Sequence, residues 1–386
     1  MNFKFPLATA TWDQDEIDAM QSVIESGYFT MGKQVASFEN EFSQFIGSKY
    51  AVMSNSGSSA NLLMVAALFY TKDNPLKPGD EVIVPAVSWS TTYFPLQQYG
   101  LRLRFVDIDL ETLNYDLDKF SSAITPKTRV VMVVNLLGNP NNFEAIKSAI
   151  GDNNISLIED NCESLGAEYK GQKTGTFGEM GSFSSFFSHH ISTMEGGLTV
   201  TNNDELYHIL LCLRAHGWTR NLPDVNHVAN KNTADSFSES FRFVLPGYNL
   251  RPLELSGAVG LRQLEKLPRL VAERRRNAEY FQEKMSKHPY LMIQKEIGSS
   301  SWFGFSLIVK PGSAVDRSTL IGRLNSAGFE CRPIVAGNFA RNSVMRYFDY
   351  EIFGELVNAE YVDNYGLFIG NHHYPVTEAI DILTCI

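Results

Sequence analysis

The stretch Ser185–Gly197, SFFSHHISTMEGG, is predicted to be a loop that follows a short apolar strand and ends in Glu-Gly-Gly. It carries two adjacent histidines, His189 and His190, and no lysine stands between Lys173 and Lys231. The pair could be two ordinary loop residues or part of a metal site. No third ligand follows at a recognisable spacing, so a metal is not expected. An unperturbed imidazole pKa near about 6.5 suits His189 to act as a general base.

The composition is that of a globular protein. The chain has 386 residues, of which 44% are hydrophobic and 20% are charged, and this length is enough for two domains. The formal net charge of −10 argues against nucleic acid or an anionic membrane surface as a partner. No apolar run reaches about 18 residues, and the first residues lack the pattern of a signal peptide, so we expect neither a membrane span nor secretion.

The cysteines agree with a cytoplasmic protein. Cys162, Cys212, Cys331 and Cys385 are widely spaced and form no C-x-x-C pair. This spacing is typical of reduced thiols, and it favours neither a disulfide framework nor a zinc site.

Short apolar runs alternate with helical patterns through the first two thirds of the chain. The clearest helix is Ser59–Tyr70, and Thr219–Pro246 is polar and irregular enough to be a long surface excursion. This alternation predicts an α/β fold with a mostly parallel sheet between helices. The predicted strands are Glu81–Pro85, Leu103–Asp107, Val130–Leu136, Ile155–Glu159, Gly181–Phe187 and Leu198–Thr201.

The pattern changes after Arg251, so we expect a large domain over residues 1–251 and a smaller α+β domain over residues 252–386. The second part begins with one long helix or a broken pair over Pro252–Lys287, with a basic stretch at Arg274–Arg276. Its other predicted elements are a strand at Trp302–Val309, a helix at Arg317–Ala327 and a strand at Phe329–Ile334.

A phosphate site is predicted at SNSGSSANLL, Ser54–Leu63, where Gly57 and small hydroxyl residues precede the helix. Free backbone N–H groups and the helix dipole at such an N-terminus bind phosphate. The alternative is a helix that is merely capped by serine.

Three further side chains follow predicted strands, at the edge of the sheet where α/β proteins bind ligands. Asp160 and Glu163 lie in ISLIEDNCESLGA, and the alternative is that both are solvated loop carboxylates. Trp89 lies in VPAVSWSTTYFP and could stack on a planar ring, although burial in the core is the commoner fate of tryptophan.

In this order, these motifs resemble the fold-type I pyridoxal-phosphate enzymes, specifically the DegT/DnrJ-like sugar aminotransferases. The resemblance covers most of the chain and includes SGYFTMGKQVASFENEF from Ser26 and LPGYNLRPLELSGAVGL from Leu245. In that family a lysine of the strand-loop binds the cofactor covalently, and His189 stands at the lysine position. The departure resembles the dehydratases that remove the C3 hydroxyl of 4-keto-6-deoxy sugar nucleotides. Four scattered cysteines do not offer the clustered ligands of an iron–sulfur centre, which favours the dehydratases without a cluster.

The resemblance implies roles for particular residues. His189, Asp160 and Glu163 would be catalytic, with Asp160 on the cofactor ring nitrogen. The residues implied to bind pyridoxal or pyridoxamine phosphate are Gly57, Ser58 and Ser184 at the phosphate, Trp89 on the ring, Asp160, and Asn249 reaching into the neighbouring subunit. The residues implied for the sugar nucleotide are Tyr28, Thr30, Met31, Gly32, His216 and Arg220.

The resemblance also implies the partners. The substrate would be GDP-4-keto-6-deoxymannose, on a route to the dideoxysugar colitose of lipopolysaccharide O-antigen. L-Glutamate would be the amino donor, and the assembly would be a homodimer with shared active sites. Two other functions remain open from the residues: a sugar-nucleotide aminotransferase that lacks the lysine, and a non-catalytic homologue.

Overall fold

The strands are short and fall into three sheets in the part of the chain that the computed structural model describes, residues 3–231 and 234–386. In chain order they are β1 (Tyr50–Ser54), β2 (Glu81–Pro85), β3 (Arg102–Val106), β4 (Thr128–Val134), β5 (Ser156–Asp160), β6 (Glu168–Tyr169), β7 (Gln172–Lys173), β8 (Met180–Ser184), β9 (Gly197–Thr201), β10 (Leu291–Met292), β11 (Gly304–Val309), β12 (Cys331–Arg332), β13 (Tyr350–Ile352) and β14 (Gly366–Gly370).

The α-helices lie between these strands and at both ends of the chain. They are α1 (Gln14–Ser26), α2 (Lys33–Ile46), α3 (Gly57–Leu68), α4 (Ser90–Gln98), α5 (Leu117–Ala123), α6 (Phe143–Ile150), α7 (Asp204–Arg214), α8 (Ser236–Glu239), α9 (Glu254–Met285), α10 (Arg317–Ser326), α11 (Val357–Tyr365) and α12 (Thr377–Leu383).

The large sheet confirms the predicted α/β fold. Among the described residues it has eight strands in the order β1-β9-β8-β5-β4-β2-β3-β13. The strands from β8 to β13 in this order are parallel, and only β9 runs antiparallel to its neighbours β8 and β1. Asp160 and Ser184 lie at the carboxyl ends of β5 and β8, so the parallel strands deliver both side chains to one edge.

Most predicted elements are confirmed to within a few residues. The strand Glu81–Pro85 has the predicted bounds, and the predicted helix Ser59–Tyr70 is α3. The predicted strand Phe329–Ile334 is shorter, because only Cys331 and Arg332 pair with β14. The irregular segment Thr219–Pro246 contains the short helix α8, and its residues 232–233 lie outside the described part.

The long helix α9 is one continuous helix rather than a broken pair. It has 32 residues, which at about 1.5 Å per residue is a length of ~48 Å. Its first half buries Leu261, Leu264 and Leu267 against α2 and the large sheet. Its second half buries Phe281 and Met285 in the core of the small sheet β10-β11-β14-β12. One helix therefore carries side chains to both sheets.

The C-terminal part also contributes to the large sheet. Strand β13 pairs in parallel with β3, with Tyr350 opposite Leu103, and Glu351 forms an ion pair with Arg104. The division at Arg251 stays a prediction. Within residues 3–231 and 234–386, none of the helices combines the length and the apolar character needed to cross a bilayer.

Candidate active site

A narrow cradle lies where α3 begins. Ser56 caps the helix by accepting a hydrogen bond from the Ser59 N–H, at 3.1 Å. A Cβ atom on Gly57 would lie 2.6 Å from Ser184 Cβ and 3.0 Å from Cys162 Sγ. The space above the first turn of α3 therefore exists only because residue 57 is glycine. Serine capping and a phosphate cradle are both present, so the two interpretations of this motif do not exclude each other.

Gly197, the last residue of the Glu-Gly-Gly run, packs directly against the backbone of the cradle at Ser56 and Gly57. A Cβ atom on Gly197 would lie 2.2 Å from the Ser56 carbonyl oxygen and 2.6 Å from the Gly57 nitrogen. Any side chain at the start of β9 would therefore push the cradle backbone out of place. This close approach explains why the strand-loop ends in glycine.

Ser58 and Trp89 are brought to the same edge. The Ser58 hydroxyl donates to Thr91 Oγ1 at 3.0 Å, and Trp89 is the residue just before α4. The indole is 57% exposed, so burial in the core, the alternative for Trp89, is wrong. An exposed indole next to the cradle is available to stack on a flat ligand.

Asp160 is almost fully buried and held by hydrogen bonds. Its Oδ2 accepts from Asn61 Nδ2 and from Thr92 Oγ1, each at 2.8 Å. Its Oδ1 accepts from the Cys162 N–H at 3.1 Å. These three donors hold the carboxyl group in a fixed orientation. A carboxylate of this kind can hold a proton on the ring nitrogen of a bound heterocycle.

Glu163 has a different environment from Asp160. Its Oε2 accepts a hydrogen bond from the Leu137 N–H at 2.9 Å. Burial raises the pKa of Glu163 to about 7, and the charge of nearby Asp160 also raises it. Neither carboxylate is a freely solvated loop residue, so that alternative is wrong for both.

His189 lies against aromatic rings. Its ring centroid is 5.2 Å from that of Phe303 and 5.8 Å from that of Phe186. Its Nδ1 is buried and has no hydrogen-bond partner among the described residues. Burial, and then the charge of Arg274, lower the pKa of His189 to about 4. The imidazole is therefore neutral at pH 7 and able to accept a proton.

His190 has a structural role that separates the two histidines of the loop. It is fully buried, and its Nε2 is 3.1 Å from the carbonyl oxygen of Ser301. Burial holds the pKa of His190 well below its usual value. The neutral ring anchors the loop to the segment before β11, which fixes the backbone on which His189 is carried.

A second group of the predicted residues gathers around Trp218. The guanidinium carbon of Arg220 lies 4.1 Å from the indole centroid, and the ring of His216 is 5.0 Å away. Asn249 accepts a hydrogen bond from Arg251 Nε at 3.0 Å, and Arg251 also lies over the indole. This group of loops adjoins the cradle, because the Asn55 N–H donates to the Leu250 carbonyl at 3.0 Å.

The segment Tyr28–Gly32 is held at the start of α9. Glu254 accepts hydrogen bonds from the N–H groups of Gly32, at 2.7 Å, and of Gln34, at 2.6 Å. Tyr28 and Thr30 are exposed, whereas Met31 and Gly32 are partly buried. No hydrogen bond or ring contact joins this segment to His189 among the described residues.

The sequence analysis missed four residues that hold the others in place: Asn61, Thr92, Leu137 and Phe303. A polar residue inside the apolar run of α3 is a signal that could have found Asn61. No such signal marks Leu137 or Phe303.

The donor set fits a flat anionic cofactor such as pyridoxal phosphate. The cradle at Gly57 would hold the phosphate together with Ser58 and Ser184, Trp89 would cover the ring, and Asp160 would meet the ring nitrogen. No group of three histidine, cysteine or acidic side chains within residues 3–231 and 234–386 could hold a metal ion.

Comparisons with known proteins agree with this fit. The model of the DegT/DnrJ/EryC1/StrS aminotransferase family matches residues 10–382. A GDP-4-keto-6-deoxy-D-mannose 3-dehydratase of Yersinia pseudotuberculosis is 60% identical over 377 residues, which are 97% of this chain and 96% of that protein.

Two solved structures of such a dehydratase are also similar. One holds a trapped PLP–glutamate geminal diamine and matches with a TM-score of 0.98 and 59% identity, over 99% of each chain. The other is a histidine-to-asparagine variant with bound GDP-perosamine, and it matches with the same TM-score, identity and coverage.

Proposed function

Because the chain belongs to the DegT/DnrJ/EryC1/StrS aminotransferase family, we propose that it is a pyridoxal-phosphate-dependent sugar-nucleotide 3-dehydratase. It removes the C3 hydroxyl of GDP-4-keto-6-deoxy-D-mannose and gives GDP-4-keto-3,6-dideoxy-D-mannose. L-Glutamate is the amino donor and ammonia is released. The observation that carries the proposal is His189: a neutral, partly buried imidazole stands where the family has its lysine.

The overall reaction balances with glutamate as the reductant. Each sugar loses one oxygen atom, and each glutamate gives one 2-oxoglutarate and one ammonia. Pyridoxamine phosphate, when bound, supplies the amino group that condenses with the C4 ketone and a ring that accepts electrons. Asp160 keeps the ring nitrogen protonated, and Asn61 and Thr92 hold its carboxylate in place.

His189 is the proposed general base. Its Nδ1 is buried, which leaves Nε2 as the atom that exchanges a proton with the bound reactants. An imidazole can take a proton and return it, and it forms no stable covalent bond with an aldehyde. A lysine amine at this position would compete for the cofactor aldehyde. The replacement therefore favours elimination over transfer of the amino group to the sugar.

Glu163 is the proposed partner of His189 in proton transfer. With its pKa raised to about 7 by burial, its carboxyl group holds a proton in a substantial fraction of the molecules at neutral pH. A protonated carboxyl can donate to an oxygen of the sugar as the C3–O bond breaks. The two residues thus provide a proton acceptor and a proton donor at the same pH.

The sugar nucleotide is proposed to meet the residues outside this centre. Arg220 carries the positive charge that a diphosphate needs, and arginine binds phosphate in a bidentate manner. His216 and the segment formed by Tyr28, Thr30, Met31 and Gly32 would contact the rest of the ligand. The GDP-perosamine bound by a 59%-identical dehydratase supports a GDP-sugar here.

A homodimer with shared active sites is also proposed, in the cytoplasm. Phe186 and Phe187, close to His189, are 38% and 49% exposed, and Trp89 is more exposed still. Such apolar side chains around a site are typical of an interface. Asn249 would reach the phosphate of the neighbouring subunit. The free thiols of all four cysteines agree with a reducing compartment.

The dimer is tested by mixing two inactive variants, His189→Asn and Asn249→Ala. If Asn249 serves the neighbouring subunit, mixed dimers contain one intact site and regain up to about a quarter of the wild-type activity per total protein. If Asn249 serves its own subunit, mixing restores nothing.

The reaction is tested by product analysis. The protein is incubated with L-glutamate and a panel of 4-keto-6-deoxy sugar nucleotides, and the products are identified by mass. We expect a GDP sugar that is one oxygen atom lighter than its substrate, together with equimolar ammonia. An amino sugar without ammonia would instead identify an aminotransferase. No turnover of any substrate would identify a non-catalytic homologue, although the retained Asp160, Ser184 and Trp89 argue against a decayed site.

A further inference from the structure

The basic stretch of α9 fixes the segment that precedes β11. Arg274 Nη1 donates to the carbonyl oxygens of Phe303, at 3.1 Å, and Asn371, at 2.6 Å. Arg275 Nε donates to the carbonyl oxygen of Ser300 at 2.9 Å. Arg274 is only 5% exposed and forms no ion pair within the described part of the chain. The buried guanidinium of Arg274 is therefore balanced by hydrogen bonds to backbone carbonyl oxygens and not by a carboxylate.

A second set of bonds ties Phe303 to the residue that holds Glu163. The Phe303 N–H donates to the Leu137 carbonyl at 3.0 Å, while the Leu137 N–H donates to Glu163. Leu137 and Trp302 both have positive φ, 53° and 49°, which bulky residues rarely adopt. Backbone of this kind persists where the surroundings fix it, and such positions cluster at functional sites.

The ring of Phe303 lies beside both histidines. Its centroid is 5.2 Å from that of His189 and 5.7 Å from that of His190. The same backbone pair, Leu137 and Phe303, thus connects the carboxyl of Glu163 with the cover of His189.

We propose that Phe303 is a positioning residue: its ring covers the His189 imidazole, excludes water from it and keeps it in the neutral form that accepts a proton. The inference rests on the proposed role of His189 as the base. The proposal also assigns a role to Arg274 in the basic stretch of α9. Its hydrogen bond fixes the backbone of Phe303, and its positive charge lies close to His189.

Two basic groups lie close to His189. His190 lies on the same loop and is neutral because burial lowers its own pKa, whereas the positive charge of Arg274, which reaches the loop from α9, opposes protonation of His189. Glu163 is linked to Phe303 through Leu137, whose N–H donates to Glu163 and whose carbonyl accepts from the Phe303 N–H. Burial lowers the pKa of His189, and the Phe303 ring, with its centroid 5.2 Å from the imidazole, is one of the apolar groups beside it.

The test compares Phe303→Ala with Phe303→Leu, which keeps an apolar cover. Phe368→Ala is the matched control, because Phe368 is also partly buried and makes no ring contact with His189 among the described residues. The reaction of His189 with diethyl pyrocarbonate is followed by peptide mass between pH 4.5 and about 8, on the purified protein with and without pyridoxamine phosphate. This reagent reports the exposure and the pKa of an imidazole independently of turnover.

We expect the Phe303→Ala protein to be modified several-fold faster at His189, with a pKa that rises from about 4 towards about 6.5. Relative to the wild type at the same pH, ammonia release by this variant should fall roughly tenfold between pH 7.5 and 5.5, because only about a tenth of an imidazole with a pKa of about 6.5 stays neutral at pH 5.5. Taking the ratio removes the pH dependence of Glu163, which both proteins share. Phe303→Leu and Phe368→Ala should lack this relative fall. Profiles of Phe303→Ala that superimpose on the wild type in both measurements would overturn the proposal.

If Phe303→Ala fails to fold, the size-matched pair Phe303→Gln and Phe303→Leu decides the question, since only the glutamine brings polarity to the imidazole. Failure of the proposed function looks different. In that case the wild type would release no ammonia at any pH, whereas the modification of His189 would still report whether Phe303 covers it.

Discussion

The titratable side chains that lie at or after the ends of two neighbouring strands, β5 and β8, have opposite surroundings, one polar and one apolar. At the end of β5, Asp160 is surrounded by donors: Asn61, Thr92 and the Cys162 N–H all point to its oxygens. In the loop after β8, His189 lies on aromatic rings, and its buried Nδ1 lacks a partner in the part of the chain described. Donors fix the orientation of the carboxylate, whereas burial lowers the pKa of His189 and keeps the imidazole neutral at pH 7. One site therefore combines a hydrogen-bonded carboxyl group and a neutral base.

Glu163 stands between these extremes. It receives one hydrogen bond, from a backbone N–H, whereas Asp160 receives three, two from side chains and one from the backbone, and burial raises the pKa of Glu163 to about 7. The two neighbouring carboxyl groups thus differ in the number of donors around them. Burial raises the pKa of Glu163 and so gives it an exchangeable proton near neutral pH.

The largest loss of rate should follow from replacing Asp160. Asp160→Asn keeps the size of the side chain but cannot hold a proton on the cofactor ring nitrogen. We expect a loss of about 10³ in rate with both glutamate and sugar, the upper range for removal of an electrostatic stabiliser. The two half-reactions are measured separately, with the melting temperature as the control for folding. Near-normal rates in either half-reaction would show that Asp160 is not the partner of the ring.

A smaller loss should follow at Glu163. Glu163→Gln removes the exchangeable proton, and we expect a loss of about 10² in ammonia release. The role of Glu163 as proton donor also predicts the direction in which the rate changes with pH. In the wild type the protonated carboxyl is depleted as the pH rises through about 7, so the rate falls there. In the variant this fall should disappear. A variant that keeps the alkaline fall of the wild type would contradict the role of Glu163 as proton donor.

The smallest expected effect concerns the cradle, which holds the cofactor for both residues. A Cβ at Gly57 meets Ser184 at 2.6 Å, and relieving such overpacking costs about 1–3 kcal/mol. Gly57→Ala should therefore bind pyridoxal phosphate roughly tenfold more weakly, measured by absorbance titration. Gly322→Ala is the control, because a Cβ there meets no atom within 4 Å. Equal affinity in the two variants would place the phosphate elsewhere.

The sequence predicted the elements that are encoded locally. The apolar run of β2 and the small hydroxyl residues before α3 gave nearly correct bounds. Strand β13 was missed, because its three residues are a strand only through pairing with β3, some 250 residues earlier. The predicted strand at Phe329–Ile334 was too long for a similar reason, since its partner β14 meets only two of its residues.

The site shows the same limit. Asp160 and Gly57 could be placed from the sequence, because a carboxylate after a strand and a glycine before a helix have local signatures. Leu137 and Phe303 could not. Leu137 has a positive φ although it is neither glycine nor asparagine, and long-range hydrogen bonds fix its backbone. The cover of His189 depends on this tertiary contact.

The central claim is that a base without an amine group replaces the lysine of the family, so that elimination replaces amination. His189→Lys restores the amine, which would bond to the cofactor aldehyde and whose unperturbed pKa, about 10.4, suits proton acceptance at neutral pH poorly. The decisive measurement is the initial rate of ammonia release from GDP-4-keto-6-deoxymannose with glutamate at pH 7, for this variant and the wild type. We predict a fall of at least about 100-fold. Ammonia release at the wild-type rate would contradict the account, because His189 would then not be the essential base.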